Sequence, residues 1–243
     1  MTVDIMAIGA HPDDIELSCV GTLLKHIDMG HTVGLLDLTK GELGSRGTAR
    51  IRLKEAEAAR KMIKAKVRNN VGLKDGFFDM EKSIMKIIPY IRKYQPKIVL
   101  ANAIQDRHPD HGRAAELISR ACFLSGLKRI KTTWKKEKKA QTHWRPKQVF
   151  HYIQDRYYEP DFVIDITPYM ERKIQIVQAY GSQFYNPDLK QYSKEDKTPI
   201  SGKDFLDGLY AKANICGRNI GVEYAEGFTL DRTLGVASLF DVV

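Results

Sequence analysis

Apolar positions along the 243-residue chain fall into short runs separated by stretches of helical period. Val3 to Ala10 reads as a first strand, and Ile15 to Met29 then carries apolar residues at helical spacing until Gly30 stops it. Val33 to Leu38 is a second strand. It leads into a Gly/Ser-rich loop, TKGELGSRGT, after which Thr48 caps an Ala- and Glu-rich helix ending near Lys64. The alternation continues with a strand at Val67 to Leu73 and a helix at Glu81 to Tyr94. After the breaker Pro96 comes a fourth strand, Lys97 to Ala101. Asp110 is placed to cap a helix over His111 to Ser125. Strands follow near Val149 to Ile153 and Phe162 to Ile166, then a helix from Pro168 to about Phe184. The polar, turn-rich run from Tyr185 to Ser201 reads as a long surface loop able to serve as a lid. A helix over Asp204 to Ile215 and a late or edge strand in VEYAEGFTL close the pattern.

Strands alternating with helices predict an α/β fold: a Rossmann-like, doubly wound, mostly parallel sheet in three α/β/α layers. There is no internal repeat, and the only shift of composition is a basic excursion at 128–147, so a single domain over residues 1–243 is expected.

The formal net charge of +9 invites a nucleic-acid reading, but its location weakens that reading. Nine of the 39 lysines and arginines and only one of the 30 acids fall between Lys128 and Lys147, leaving 30 against 29 elsewhere. One lysine-rich excursion reads more simply as a solvated loop, although Trp134 and Trp144 within it leave a docking role open. No apolar run reaches the roughly 18 residues of a membrane span, and the N-terminus lacks a basic start followed by a long apolar core. A soluble cytoplasmic protein is expected. Cys19, Cys122 and Cys216 show no CxxC spacing and read as packing residues, without a disulfide or a thiolate metal site.

Two loops hold an unusual density of imidazoles and carboxylates: AHPDD after the first strand and DRHPDH after the fourth. In a doubly wound sheet these strands are neighbours where the strand order reverses, and ligands bind there, outside the carboxyl ends. The two loops should therefore meet. A hydrolytic zinc needs about three N/O ligands and an open position. His11, Asp14 and His111 supply them, and Asp13 is left as the general base. His108, with Asp110 as orienting partner, can polarise the scissile carbonyl or protonate the departing amine. Asp14 and Asp110 could each serve only as helix caps. His26, His31, His143 and His151 have no such neighbours and read as structural. Two histidines and a carboxylate also make the triad of a non-haem iron oxygenase, whose usual all-β scaffold the alternating pattern disfavours.

The segments GAHPDDIELSCVGTL, TKGELGSRGT and DRHPDHGRA together resemble the PIG-L or LmbE-like deacetylases. YEPDFVIDIT, AYGSQFYNP and GVEYAEGF resemble the bacillithiol-biosynthesis branch, the N-acetylglucosaminyl malate deacetylases. The resemblance spans nearly the whole chain. It implies one zinc ion per chain on His11, Asp14 and His111, Asp13 as base, and His108 with Asp110 acting on the carbonyl and leaving group. It also implies that Arg52 and Arg107 lie near substrate. Guanidinium groups suit the two carboxylates of malate, while a solvated helix arginine is the other reading of Arg52. The implied reaction is hydrolysis of N-acetylglucosaminyl malate to glucosaminyl malate and acetate by zinc-activated water, with another N-acetylglucosamine conjugate as the rival substrate. The expected partner is thus a small-molecule sugar conjugate. No nucleic-acid or membrane partner is expected, and a homo-oligomer is permitted.

Overall fold

Apart from the half-buried Asp4, the first apolar run is buried, as a strand covered on both faces must be. In the computed structural model, which describes residues 1–135, 137–186 and 196–242, this run forms β1 (Ile5–Gly9). Alternate side chains enter different cores: Ile5 and Ala7 pack in one cluster, Met6 and Ile8 in the other. β2 (Val33–Asp37), β3 (Val67–Asn70), β4 (Ile98–Ala101), β5 (Gln148–Tyr152), β6 (Phe162–Asp165) and β7 (Ala225–Leu230) complete the sheet. The seven strands lie in the order β3-β2-β1-β4-β5-β7-β6. β3, β2, β1, β4 and β5 pair in parallel, whereas β7 is antiparallel to both its neighbours. The mostly parallel α/β sheet is as expected. The late strand, however, is inserted between β5 and β6 instead of lying at an edge.

The continuous helix expected over Ile15 to Met29 is two helices, α1 (Asp14–Ser18) and α2 (Val20–Asp28), parted at Cys19. The cause lies far away in sequence. Glu226 on β7 accepts from the backbone N–H groups of Gly21 at 3.0 Å and Thr22 at 2.7 Å, capping α2, and is held there by Lys173 at 2.6 Å. α3 (Ala49–Ile63) starts at Thr48 as expected, its hydroxyl accepting from the Ile51 N–H at 3.2 Å. α4 (Met80–Tyr94) and α5 (Pro109–Ser125) pack together on the opposite face. The cap of α5 is His108, whose ring accepts from the Asp110 N–H, so the capping role expected of the Asp110 side chain is not realised. The helix expected from Pro168 to Phe184 is a 3₁₀ turn, Thr167–Tyr169, followed by α6 (Met170–Val177). It stops early because Ala179 and Tyr180 close tight three-residue turns onto Ile176 and Val177. Of the loop read over Tyr185 to Ser201, residues 187–195 lie outside the described residues. α7 (Lys203–Arg218) follows it.

The basic excursion is not a free solvated loop. Trp134 is 9% exposed and meets Tyr90 and Tyr94 of α4 edge-on at 5.2 and 5.8 Å. Trp144 donates through Nε1 to the Pro96 carbonyl at 2.8 Å, and Arg92 donates to the carbonyls of Leu127 and Ile130. The tryptophans are used for packing while Lys128, Lys131, Lys138 and Lys139 stay exposed. Because Pro96 precedes β4, the segment sits at the amino ends of the parallel strands, away from where a ligand binds. Trp134→Ala should lower the unfolding free energy by about 3–5 kcal/mol in denaturant titrations. A loss under roughly 0.5 kcal/mol, typical of surface substitutions, would return the segment to the solvated reading.

No helix among the described residues is long and apolar enough to cross a membrane. The three cysteines are buried free thiols.

Candidate metal centre and active site

β1 and β4 are neighbours at the point where the strand order reverses, so the loops that leave their carboxyl ends run side by side. Asn102 ties the two together. Its Oδ1 accepts from the Ala10 N–H at 2.9 Å, and its Nδ2 donates to Asp14 Oδ2 at 3.0 Å. The expected meeting of AHPDD with DRHPDH is thereby realised.

Asp14 lies between two imidazoles, 3.1 Å from His111 Nε2 and 3.7 Å from His11 Nδ1. The far nitrogens of both rings face other carboxylates. His111 Nδ1 is 2.5 Å from Asp106 Oδ2, and His11 Nε2 is 3.0 Å from Asp75 Oδ1 and 3.6 Å from Asp110 Oδ2. A carboxylate behind an imidazole fixes its tautomer and turns the other nitrogen toward a metal, so His11 Nδ1 and His111 Nε2 are the lone pairs that converge on Asp14. Within 4.8 Å of one another lie ligand atoms of His11, His108 and His111, and also those of His11, Asp75 and Asp110. The hydrogen bond that His108 makes argues against its serving as a ligand. Its Nδ1 accepts from the Asp110 N–H at 3.2 Å, so in the neutral ring Nε2 carries the proton and faces the pocket as a donor.

The charges point the same way. Burial opposes the cationic form of both flanking rings, yet carboxylates prevail. Asp110, Asp14 and Asp75 hold His11 well above the usual histidine range, and Asp14 with Asp106 pushes His111 up to about 9. Burial and the two neighbouring imidazoles pull His108 below that range. A buried surplus of carboxylate that attracts protons onto histidine attracts a divalent cation equally well, and the donor set of two nitrogens and a carboxylate fits one. His11, Asp14 and His111 would hold it.

Asp13 stands beside this cluster on a constrained backbone, with φ 114° and ψ −26°. Such a conformation costs a non-glycine residue on the order of 1–3 kcal/mol and persists where its surroundings impose it. Arg52 imposes it here. One terminal nitrogen donates to the Pro12 carbonyl at 2.6 Å and to Asp13 Oδ2 at 2.7 Å, and the other donates to the Gly41 carbonyl at 3.2 Å. Gly41 is required for that approach: its φ is +64°, and a Cβ there would lie 1.8 Å from an Arg52 nitrogen. Arg52 is only 6% exposed, so it is no solvated helix arginine. Its terminal nitrogens hold Asp13, Pro12 and Gly41, which makes it a positioning group for Asp13, while its Nε has no partner among the described residues and the side chain lines the pocket. Burial, against the pull of Arg52, pushes the Asp13 carboxyl up to about 7, a value suited to proton exchange near neutrality.

Asp110 also differs from expectation. Its carboxylate takes the Gly76 N–H at 2.9 Å and faces His11, and it is the backbone N–H of Asp110, not its carboxylate, that meets His108. Arg107 is exposed, lines the pocket and pairs with Asp155. Sequence reasoning missed Asp75, Asp106, Asn102 and Gln154, which brace the cluster. Asp75 follows β3, another carboxyl strand end, and that position was the available signal. The pocket, about 310 Å³, runs from His11 and His108 to Phe205 and Leu209 on α7.

A family model described as PIG-L, GlcNAc-PI de-N-acetylase, matches residues 6–122. The diacetylchitobiose deacetylase of Thermococcus kodakarensis is 27% identical over 191 residues, covering 74% of this chain and 70% of that protein. The crystal structure of the conserved protein TT1542 of Thermus thermophilus superposes with a TM-score of 0.81 at 31% identity, over 97% of this chain and 98% of that one. The N,N'-diacetylchitobiose deacetylase of Pyrococcus horikoshii, at 24% identity over 99% and 88% of the chains, gives a TM-score of 0.76 and shares the fold. The HPDD and HPDH loops, joined at the switch point of the sheet, both lie within the stretch that matches the PIG-L family of de-N-acetylases, residues 6–122.

Proposed function

We propose that the protein is a zinc-dependent hydrolase that removes the acetyl group from N-acetylglucosaminyl malate. The observation that carries the reading is the convergence of His11 and His111 on Asp14, with Asp13 alongside and His108 presenting an N–H to the same pocket. When bound, the ion supplies Lewis-acid polarisation of the acetamide carbonyl and acidifies the attacking water. Asp13 receives the proton of that water on Oδ1, which takes no hydrogen bond from the described residues, while Arg52 holds Oδ2 and keeps the carboxylate from swinging away. As the water oxygen bonds to the carbonyl carbon, charge grows on the carbonyl oxygen, and His108 Nε2–H is the donor placed to meet it. The C–N bond then breaks and Asp13 returns its proton to the departing amine. An N-acetylglucosamine-type substrate is supported by the family description and by the relatives that act on diacetylchitobiose. The malate aglycone is supported by the closing motifs YEPDFVIDIT, AYGSQFYNP and GVEYAEGF, and by Arg107 on the pocket wall.

Zinc-loaded protein offered N-acetylglucosaminyl malate, diacetylchitobiose and N-acetylglucosamine should release acetate from the malate conjugate with a kcat/KM about tenfold or more above the others, the gain of one charge-assisted contact. Preference for diacetylchitobiose would remove malate and keep the deacetylase, whereas acetate from none of them would remove both.

Arg52 provides a separate check, because it acts through Asp13. Arg52→Lys should reduce kcat by about ten- to a hundredfold on all three substrates alike, since the lysine cannot reproduce the forked contact. A loss confined to the malate conjugate would make Arg52 a substrate contact after all.

A further inference from the structure

Besides Arg52 of α3 and the side chains gathered at the strand ends, another cation reaches the pocket from a helix. Lys212 lines the wall that α7 contributes, together with Phe205 and Leu209. Its ammonium donates to the Gln154 carbonyl and forms no ion pair among the described residues. Three other sheltered cations have carboxylate partners. Lys173 has Glu226 at 2.6 Å, Arg52 has Asp13 at 2.7 Å, and Arg68 has Asp37 at 2.7 Å. Lys212 also feels its surroundings: burial, reinforced by Lys173, draws its pKa below the usual lysine range, with Asp155 and Asp106 opposing from a distance.

A second observation lies on the same wall. Ser18, 5% exposed, lines this pocket, and its hydroxyl has no hydrogen-bond partner. Ser18 and Lys212 also share the lining of a smaller adjoining cavity of about 20 Å³. Among the described residues the wall thus holds a cation without an ion-pair partner and a buried hydroxyl without a hydrogen-bond partner. An arriving group with several acceptor lone pairs and a negative charge satisfies both, and offsets the desolvation that burial imposes on the ammonium. Arg107, another pocket cation, is exposed and shares its charge with Asp155.

We propose that Lys212, with Ser18 beside it, is the anion-recognising end of the pocket and selects sugar amides whose aglycone carries a carboxylate or a phosphate. This rests on the deacetylase reading above and gives it a determinant for substrate charge that the HPDD and HPDH loops do not contain.

The test compares wild type, Lys212→Gln, Lys212→Arg and Ser18→Ala on N-acetylglucosaminyl malate, N-acetylglucosamine 1-phosphate and neutral diacetylchitobiose. Lys212→Gln should raise KM for the anionic substrates about ten- to a hundredfold, the loss expected for a charge-assisted contact, with a much smaller effect on kcat. The neutral substrate should lose far less, and Lys212→Arg should recover most of the difference. Ser18→Ala, which removes a neutral donor, should cost about two- to tenfold on the same substrates. Which anionic substrate suffers more identifies the aglycone as carboxylate or phosphate. Equal losses on neutral and anionic substrates would overturn the proposal and make Lys212 a brace for Gln154. Calorimetric titration of L-malate and inorganic phosphate into metal-free wild type and Lys212→Gln covers the case in which no substrate is hydrolysed. Weaker binding to the variant would then retain the anion site while the deacetylase reading falls. Equal binding of both anions to the two proteins would overturn the anion site itself.

Discussion

Asp13→Asn is expected to keep its metal and lose about a hundredfold to ten-thousandfold in kcat, the usual cost of removing a general base. The substitution is nearly silent for the structure. Asparagine tolerates the positive φ of 114° about as well as aspartate does, and its amide oxygen can still accept from Arg52 at the Oδ2 position. What it cannot do is accept a proton from water. KM should change little, because no contact proposed for substrate involves Asp13. Metal content by elemental analysis and acetate release in a single turnover separate the possibilities. Metal lost from the variant would make Asp13 a ligand, and a rate near wild type would assign the base elsewhere, with His108 the next group on the pocket wall.

The paired loops were legible because each carries several chemical side chains at a strand end, and strand alternation alone predicts that β1 and β4 lie together. Asp75 was far less legible, its place after a strand end being the one signal. It stands by itself after β3, and its relation to His11 exists only once β2 and β3 are laid beside β1. Arg52 could have been read more closely. With Ala56, Ala59 and Ile63 it forms the buried stripe of α3, spaced by four, three and four residues, and an arginine on such a stripe announces a buried partner. The excursion misled through its charge. Nine basic residues suggested solvent, whereas Trp134 and Trp144 were the residues that determined its packing. The break at Cys19 had no local signal, since the carboxylate that caps α2 belongs to Glu226. Local periodicity thus located the elements, and contacts distant in sequence set their ends and their partners.

Those same contacts yield the most severe expected effect: His11→Ala, Asp14→Ala and His111→Ala should each strip the metal and reduce deacetylation to background. A site with three protein ligands becomes a poor one when any is removed. The discriminating variant is His108→Ala. Its ring lies in the same cluster, and a set of three imidazoles would use it as a ligand. The Asp110 N–H at its Nδ1 places the proton on Nε2, so His108→Ala should retain stoichiometric metal through dialysis and lose only rate. Asp106→Asn and Asp75→Asn should fall between, weakening metal affinity by about ten- to a hundredfold through the imidazoles they orient. Competition with a chelating indicator reads the whole series, and circular dichroism verifies that each variant is folded. If His108→Ala sheds its metal while Asp14→Ala keeps it, the three imidazoles are the ligands. Asp14 would then be the carboxylate that orients them, and the base would have to be sought again among Asp13 and Asp14.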